Sequence, residues 1–170
     1  MKRFETFALS DAGKMGAYAS AALTGVFECV ETFALLAKIQ READGNTPFD
    51  SKFGNNRDYM QGFLDALSEE GRTLYRGTYL TMDNLYPLVY TSFFVLLLTR
   101  LNGKADRKLV VPLLVLCFDY GENYGTKKML ETMTVSKRMA RFASTMTNGK
   151  MLSLSATAGL LGLSWRQNRK

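Results

Sequence analysis

Four stretches of the chain are apolar and almost free of charge, and the residues between them are polar and rich in turn formers. The first covers residues 15–38, and its opening thirteen, 15–27, carry no charge. The second, 79–100, reads YLTMDNLYPLVYTSFFVLLLTR, with Asp83 as its one charge before Arg100. The third, 108–126, stays apolar from Leu109 to Phe118, and the fourth, 142–165, contains Lys150 alone. About 20 apolar residues in a helix cross roughly 30 Å of hydrocarbon. The pattern therefore predicts an all-α chain: a four-helix transmembrane bundle forming one domain over 1–170, with its second and third spans joined as a hairpin.

Local signals fill in this outline. Pro87 inside the second span should bend it or free a backbone carbonyl, whereas Pro112 falls near a first turn, where proline is tolerated. Small residues at Ala17, Ala21 and Gly25, and again in the ATAGLLG run, suit close helix packing in lipid. The polar connection, 40–78, has turn signals at GNTPF and at Gly54-Asn55-Asn56. Beyond them, Tyr59, Phe63, Leu64 and Leu67 recur at helical spacing. They predict a short amphipathic helix between the first and second spans, lying at the membrane interface or on the bundle end. Residues 127–141 are basic and amphipathic. Trp165, followed by Arg-Gln-Asn-Arg-Lys, reads as an interfacial anchor.

The charges inside the spans fall at one level. At ~1.5 Å per residue from the termini side, Glu31 and Asp83 lie about 17 residues in and Lys150 about 16. Glu28, Glu122 and Asn123 lie about 14, and Asp119 about 11. Asp83, Tyr86 and Tyr90 share one helix face, and Asp119, Glu122 and Asn123 another. A charge at the bilayer centre costs about 3 kcal/mol even on a lenient scale. These groups should therefore turn inward, where they are protonated, paired with Lys150, hydrated or bridged by a cation, with tyrosines donating to carboxylates. Such a layer serves as a satisfied polar core that fixes helix register, a pocket for a small polar or cationic ligand, a catalytic site, or a proton path.

Composition narrows the chemistry. The net charge of +6 suggests nucleic acid at first, but the basic residues cap apolar segments instead of forming a stripe interleaved with aromatics. Anionic lipid head groups account for them better, and no nucleic-acid partner is expected. Mean hydropathy is −0.11, close to that of soluble proteins, so the distribution of charge carries the membrane reading. Histidine is absent, which removes the usual general base and the commonest transition-metal ligand. Cys29 and Cys117 lie in apolar segments with no metal-site spacing and are expected to be buried free thiols. No cofactor is predicted; a metal here would have oxygen ligands, favouring Mg²⁺, Mn²⁺ or Ca²⁺ over zinc. Gly121 and Gly125 follow no strand, so helix packing explains them better than a phosphate cradle. The N-terminus lacks the long apolar core of a secretory signal, and Glu5 and Asp11 interrupt any transit-peptide pattern.

The hairpin carries a resemblance. Asp83-Asn-Leu-Tyr86-Pro87-Leu-Val-Tyr90, then Pro112 and Asp119-Tyr-Gly-Glu122-Asn123, resembles a loose group of small, uncharacterised four-helix membrane proteins. They pair a D-x-x-[aromatic]-P-x-x-Y span with a following D-x-x-E-N span. The match covers about a third of the chain, and the resemblance implies a polytopic fold without implying an activity.

The leading functional expectation is a non-catalytic integral membrane protein, an accessory or stabilising subunit of a larger membrane complex. An energy-transducing membrane such as the mitochondrial inner membrane is the location it suggests. Both termini and the 101–108 link would share one side of the bilayer, the side with the more basic balance. The alternative is a membrane-embedded enzyme or small-molecule or cation binder that uses the layer of Glu28, Glu31, Asp83, Tyr86, Tyr90, Asp119, Glu122, Asn123 and Lys150. A third possibility is a soluble helical bundle that buries the hairpin against a partner.

Overall fold

The computed structural model describes residues 1–52 and 54–169. Among the described residues there are six helices and no strand. They are α1 (Lys2–Leu9), α2 (Asp11–Glu42), α3 (Arg57–Ala66), α4 (Glu69–Asn102), α5 (Val110–Thr132) and α6 (Lys137–Gln167). Ser10, Asn56, Ser68 and Ser136 each accept a hydrogen bond from a backbone N–H in the first turn of the following helix. These caps satisfy donors that would otherwise be orphaned and fix where α2, α3, α4 and α6 begin. Gly103, at φ +65°, ends α4 in the left-handed conformation that glycine adopts without penalty. Both α2 and α4 contain a π-helical turn, at Val30–Leu36 and Tyr75–Tyr79. The helices outrun the predicted spans because capped, amphipathic ends carry them past their apolar stretches.

Two of them, α2 and α4, are long and apolar enough to cross a membrane. The others comparable in length, α5 and α6, are more polar: acidic residues punctuate α5, and basic residues crowd the first turns of α6. Helix α5 packs between α4 and α6, and α6 also reaches α4. Helix α2 leans on α4 and makes no extended contact with α5 or α6. A gap is thereby left between α2 and α6.

The two ends and the middle of the bundle obey different rules. One end has a water-type core in which Phe49, Met60, Phe63, Leu64, Tyr75, Met129, Leu130 and Val135 are all essentially inaccessible. Phe49 and Phe63 meet edge to face at 5.6 Å, and Phe63 meets Tyr75 likewise at 5.9 Å. Each such side chain contributes roughly 1.5–3 kcal/mol on burial. Helix α3 spends its apolar face here, so it sits on the bundle end. The opposite end gathers the Leu101–Ala105 link and both ends of the described chain. Arg100 donates to the carbonyls of Ala8 (2.8 Å) and Ser10 (2.9 Å), and Ala105 N donates to Glu5 (3.0 Å). Asn102 and Leu101 accept from Ser164 and Asn168 of α6.

Between these ends the pattern is inverted. Tyr18, Val26, Phe33, Leu88, Leu113 and Leu152 face outward, Phe33 at 78% exposure, while Glu31, Asp83, Asp119, Glu122, Asn123, Thr126 and Thr147 are buried. Only 6% of the most apolar 18-residue window of α2 is buried, against 33% for α4. Both helices thus present much of their apolar surface outward.

Three expectations are corrected. Cys29 and Cys117 are exposed, because each sits on the outward face of its helix. In the Ala17/Ala21/Gly25 stripe only Ala17 is buried, and a Cβ on Gly25 would meet nothing within 4 Å. Gly159 and Gly162 of the ATAGLLG run are equally open. The close approaches occur elsewhere. A Cβ on Gly13 would lie 2.3 Å from the Phe7 carbonyl oxygen, and one on Gly149 2.6 Å from the Phe118 ring. Gly121 and Gly125 do pack, against Met146 and against Phe142 and Ala143 of α6.

Candidate functional site

The seam between α4 and α5 follows from a single proline. Pro87 has no N–H to return to the carbonyl of Asp83 one turn earlier, and a bare carbonyl in this dry interior would cost free energy. Asn123 of α5 fills the vacancy, its Nδ2 donating to that carbonyl at 2.8 Å. Tyr120, also on α5, donates to the next carbonyl, Asn84, at 3.1 Å. One turn beyond Pro87, Tyr90 donates its hydroxyl to Asp119. The D-x-x-Y-P-x-x-Y and D-x-x-E-N stretches are thus two halves of one joint: Asn123 meets Asp83, and Tyr90 meets Asp119.

The seam between α5 and α6 is ionic. Lys150 Nζ contacts both Glu122 and Asp119, the latter at 3.4 Å, and Thr147, one turn before it, donates to Glu122. The Glu122 side chain is 1% exposed and that of Lys150 16%. Glu122 therefore has a cation and a neutral donor, as a buried carboxylate requires.

Helix α2 is clasped to α4 by Glu28, whose Oε2 accepts from Tyr86 at 2.7 Å and Oε1 from Thr32 at 3.2 Å. Phe27 stacks flat on the Tyr86 ring at 5.7 Å. Three residues on, Glu31 lies within the π turn, and such turns commonly mark functional positions because they re-aim side chains. Glu31 is 8% exposed, and its Oε1 has no hydrogen-bond partner.

These groups surround a cavity of about 290 Å³ in the gap that α2 leaves beside α6. Glu28, Glu31, Asp83, Tyr86, Tyr90, Asp119 and Lys150 line it. The sequence-predicted layer is brought together except at two positions. Glu122 and Asn123 stand behind the cavity wall, because their side chains are spent on Lys150 and on the Asp83 carbonyl. The apolar part of the lining is Leu36, Phe94, Met151 and Leu154. Tyr86, Tyr90 and Phe94 form a ladder along α4, with centroids 5.0 and 5.8 Å apart.

Sequence reasoning passed over Asp50, Ser51 and Tyr79, which also line the cavity. Asp50 is in the 3₁₀ turn Phe49–Ser51, which the connection delivers against α5 and α6. Its carboxylate accepts from Tyr75 at 2.5 Å. Burial pushes the Asp50 carboxyl above the ordinary carboxylate range, and the Tyr75 hydrogen bond opposes that rise. No periodicity connects a linker aspartate to a helical layer, so no sequence signal pointed to it. Thr147 was legible in principle, three residues before Lys150 on the same helix face.

Electrostatically the cavity is unbalanced. Lys150 is its one cation and is committed to Asp119 and Glu122, while Glu28, Glu31 and Asp83 have no ion-pair partner among the described residues. Nor do any three carboxylates or thiols among the described residues approach closely enough to hold a metal ion. No protein-family model, no curated protein and no solved structure matches the chain.

Proposed function

We propose that the chain is a four-span integral membrane protein, both termini on one side, whose carboxylate-lined cavity binds a small positively charged ligand. The observation that carries this reading is the surplus of carboxyl groups around one cavity: Glu31 and Asp83 face it while Lys150 is committed to Asp119 and Glu122. Carboxylates held away from water need a compensating charge or a proton. A cavity that opens beside a bare α2 lets a ligand provide that charge. The inverted burial of α2, α4, α5 and α6 supports the membrane setting, and the hairpin's resemblance to small polytopic proteins agrees with it.

A second reading has its own support. The outward face of α2, with Tyr18, Val26 and Phe33 exposed, suits packing against helices of a larger membrane complex, as an accessory subunit would. Ligand binding and complex membership are compatible.

The test is a thermal-unfolding series on protein reconstituted in phosphatidylglycerol nanodiscs, titrated with K⁺, Mg²⁺, spermidine and tetramethylammonium. At least one cation raises the melting temperature of the wild type, and none raises that of Asp83→Asn. Indifference of the wild type to the whole panel would refute the binding role.

A further inference from the structure

Resting on the cation-cavity reading, we infer that the ligand is an organic ammonium ion, held between aromatic faces and carboxylates and admitted through the gap between α2 and α6.

Four observations lead there. First, the carboxylates do not converge as metal ligands do; no three of them among the described residues could hold one ion. A small inorganic cation needs several oxygens at once within about 2.0–2.6 Å, whereas a bulky ammonium takes its charge compensation from carboxylates spread around it. Second, the α4 wall of the cavity is the Tyr86–Tyr90–Phe94 ladder. The hydroxyls of both tyrosines are already donated, to Glu28 and Asp119, and Phe27 covers one face of Tyr86, so the ladder offers a ligand aromatic carbon, with Tyr90 and Phe94 as its main part. Ring faces attract an ammonium through their quadrupole, and aromatic cages are the recurrent solution for quaternary ammonium groups. Third, Glu31 brings an unpartnered, buried carboxylate oxygen to the same cavity. No protein donor meets it, so an ammonium that enters the cavity finds a free acceptor there. Fourth, about 290 Å³ is at the lower end of ligand cavities, which run from roughly 300 to 1,000 Å³. That volume suits a head-group-sized cation. The Met151 and Leu154 side of the lining would then meet any hydrocarbon attached to it. The ammonium has two possible sources, an amine-bearing lipid in the bilayer or a free small solute, and both present the same chemistry to the cavity.

The experiment is isothermal titration calorimetry on the full chain in phosphatidylglycerol nanodiscs, which contain no amine. Tetramethylammonium is compared with K⁺ and Mg²⁺ at matched ionic strength. The expected result is saturable binding of tetramethylammonium alone. Affinity falls about tenfold in Phe94→Leu, which keeps apolar bulk and loses the ring face, and at least about tenfold in Glu31→Gln. Doping the nanodiscs with phosphatidylcholine identifies the source: competition points to a lipid head group, and its absence points to a free solute. Binding of K⁺ or Mg²⁺ that is lost in Glu31→Gln and unmoved in Phe94→Leu overturns this inference and leaves the cation cavity standing. Absence of binding by every cation to folded wild-type protein overturns both. The wild-type selectivity decides the matter even where a variant fails to fold.

Discussion

Replacing Lys150 by methionine keeps an unbranched side chain of similar length and removes the one ammonium inside the bundle among the described residues. The consequence can be sized from its surroundings. Lys150 Nζ touches Asp119 and Glu122, whose side chains are 4% and 1% exposed, so water cannot take over the lost charge. Breaking a buried ion pair by deleting one partner costs about 3–5 kcal/mol, most of it the stranded opposite charge. Glu122→Gln is the milder change. It keeps an acceptor for Thr147 and leaves Lys150 its Asp119 partner, so a loss of about 1–3 kcal/mol is expected. In the double variant the stranded Glu122 charge no longer exists, and Asp119 keeps the Tyr90 hydroxyl. The combined loss should therefore fall short of the sum of the singles by about 1.5–3 kcal/mol. The assay is equilibrium unfolding in mixed dodecyl sulfate and maltoside micelles, followed by circular dichroism, on all four proteins of the cycle. Additivity within about 0.5 kcal/mol would show that Lys150 and Glu122 do not compensate each other, and the electrostatic account of the α5–α6 seam would fall.

Four further outcomes are expected. Asn123→Leu leaves the Asp83 carbonyl without a donor and should destabilise by about 1–3 kcal/mol in the same unfolding assay; a neutral result would mean that Pro87 leaves nothing to satisfy. Gly13→Ala sets a methyl against the Phe7 and Ala8 backbone and should cost about 1–3 kcal/mol, whereas Gly25→Ala, facing open space, should be neutral or stabilising by up to ~1 kcal/mol; equal effects at the two sites would contradict the packing. Cys29 and Cys117 are exposed on outward faces that lipid covers in the proposed membrane setting, so a membrane-impermeant maleimide should leave both unlabelled in intact vesicles and label both after unfolding in dodecyl sulfate; rapid labelling in vesicles would argue against the bilayer. Burial raises the Asp50 carboxyl, so its folded-state pKa lies above its unfolded one. Its contribution to stability is then complete below the unfolded carboxylate range and is lost as pH rises through the folded value. Asp50→Asn retains an acceptor for Tyr75 and should flatten that part of the pH–stability curve; an unchanged curve would mean that Asp50 does not titrate differently on folding.

Much of this protein is written locally. Helix positions follow from charge-free runs and caps such as Ser10, Asn56, Ser68 and Ser136, which act within one turn of themselves. The common level of Glu31, Asp83 and Lys150 along their helices also follows from counting, because a helix advances by a fixed rise per residue. Pro87 announces a freed carbonyl for the same reason, since the missing N–H and the carbonyl it would have met lie on one helix. Other features had no local cause. That Asn123 answers Pro87 depends on how α4 and α5 are set against each other, and that Lys150 chooses Glu122 over Asp83 depends on α6 packing on α5 while α2 stays apart. The same separation opens the cavity, and the way each helix is turned leaves Cys29, Cys117 and Gly25 facing outward, against the expectation from their apolar settings. Asp50 arrives from a linker with no periodicity at all. Hydrophobic pattern and capping are nearest-neighbour properties, legible along a line. Which side chains compensate one another is a property of contacts between helices, where one shift of packing reassigns every partner, and only the assembled fold determines it.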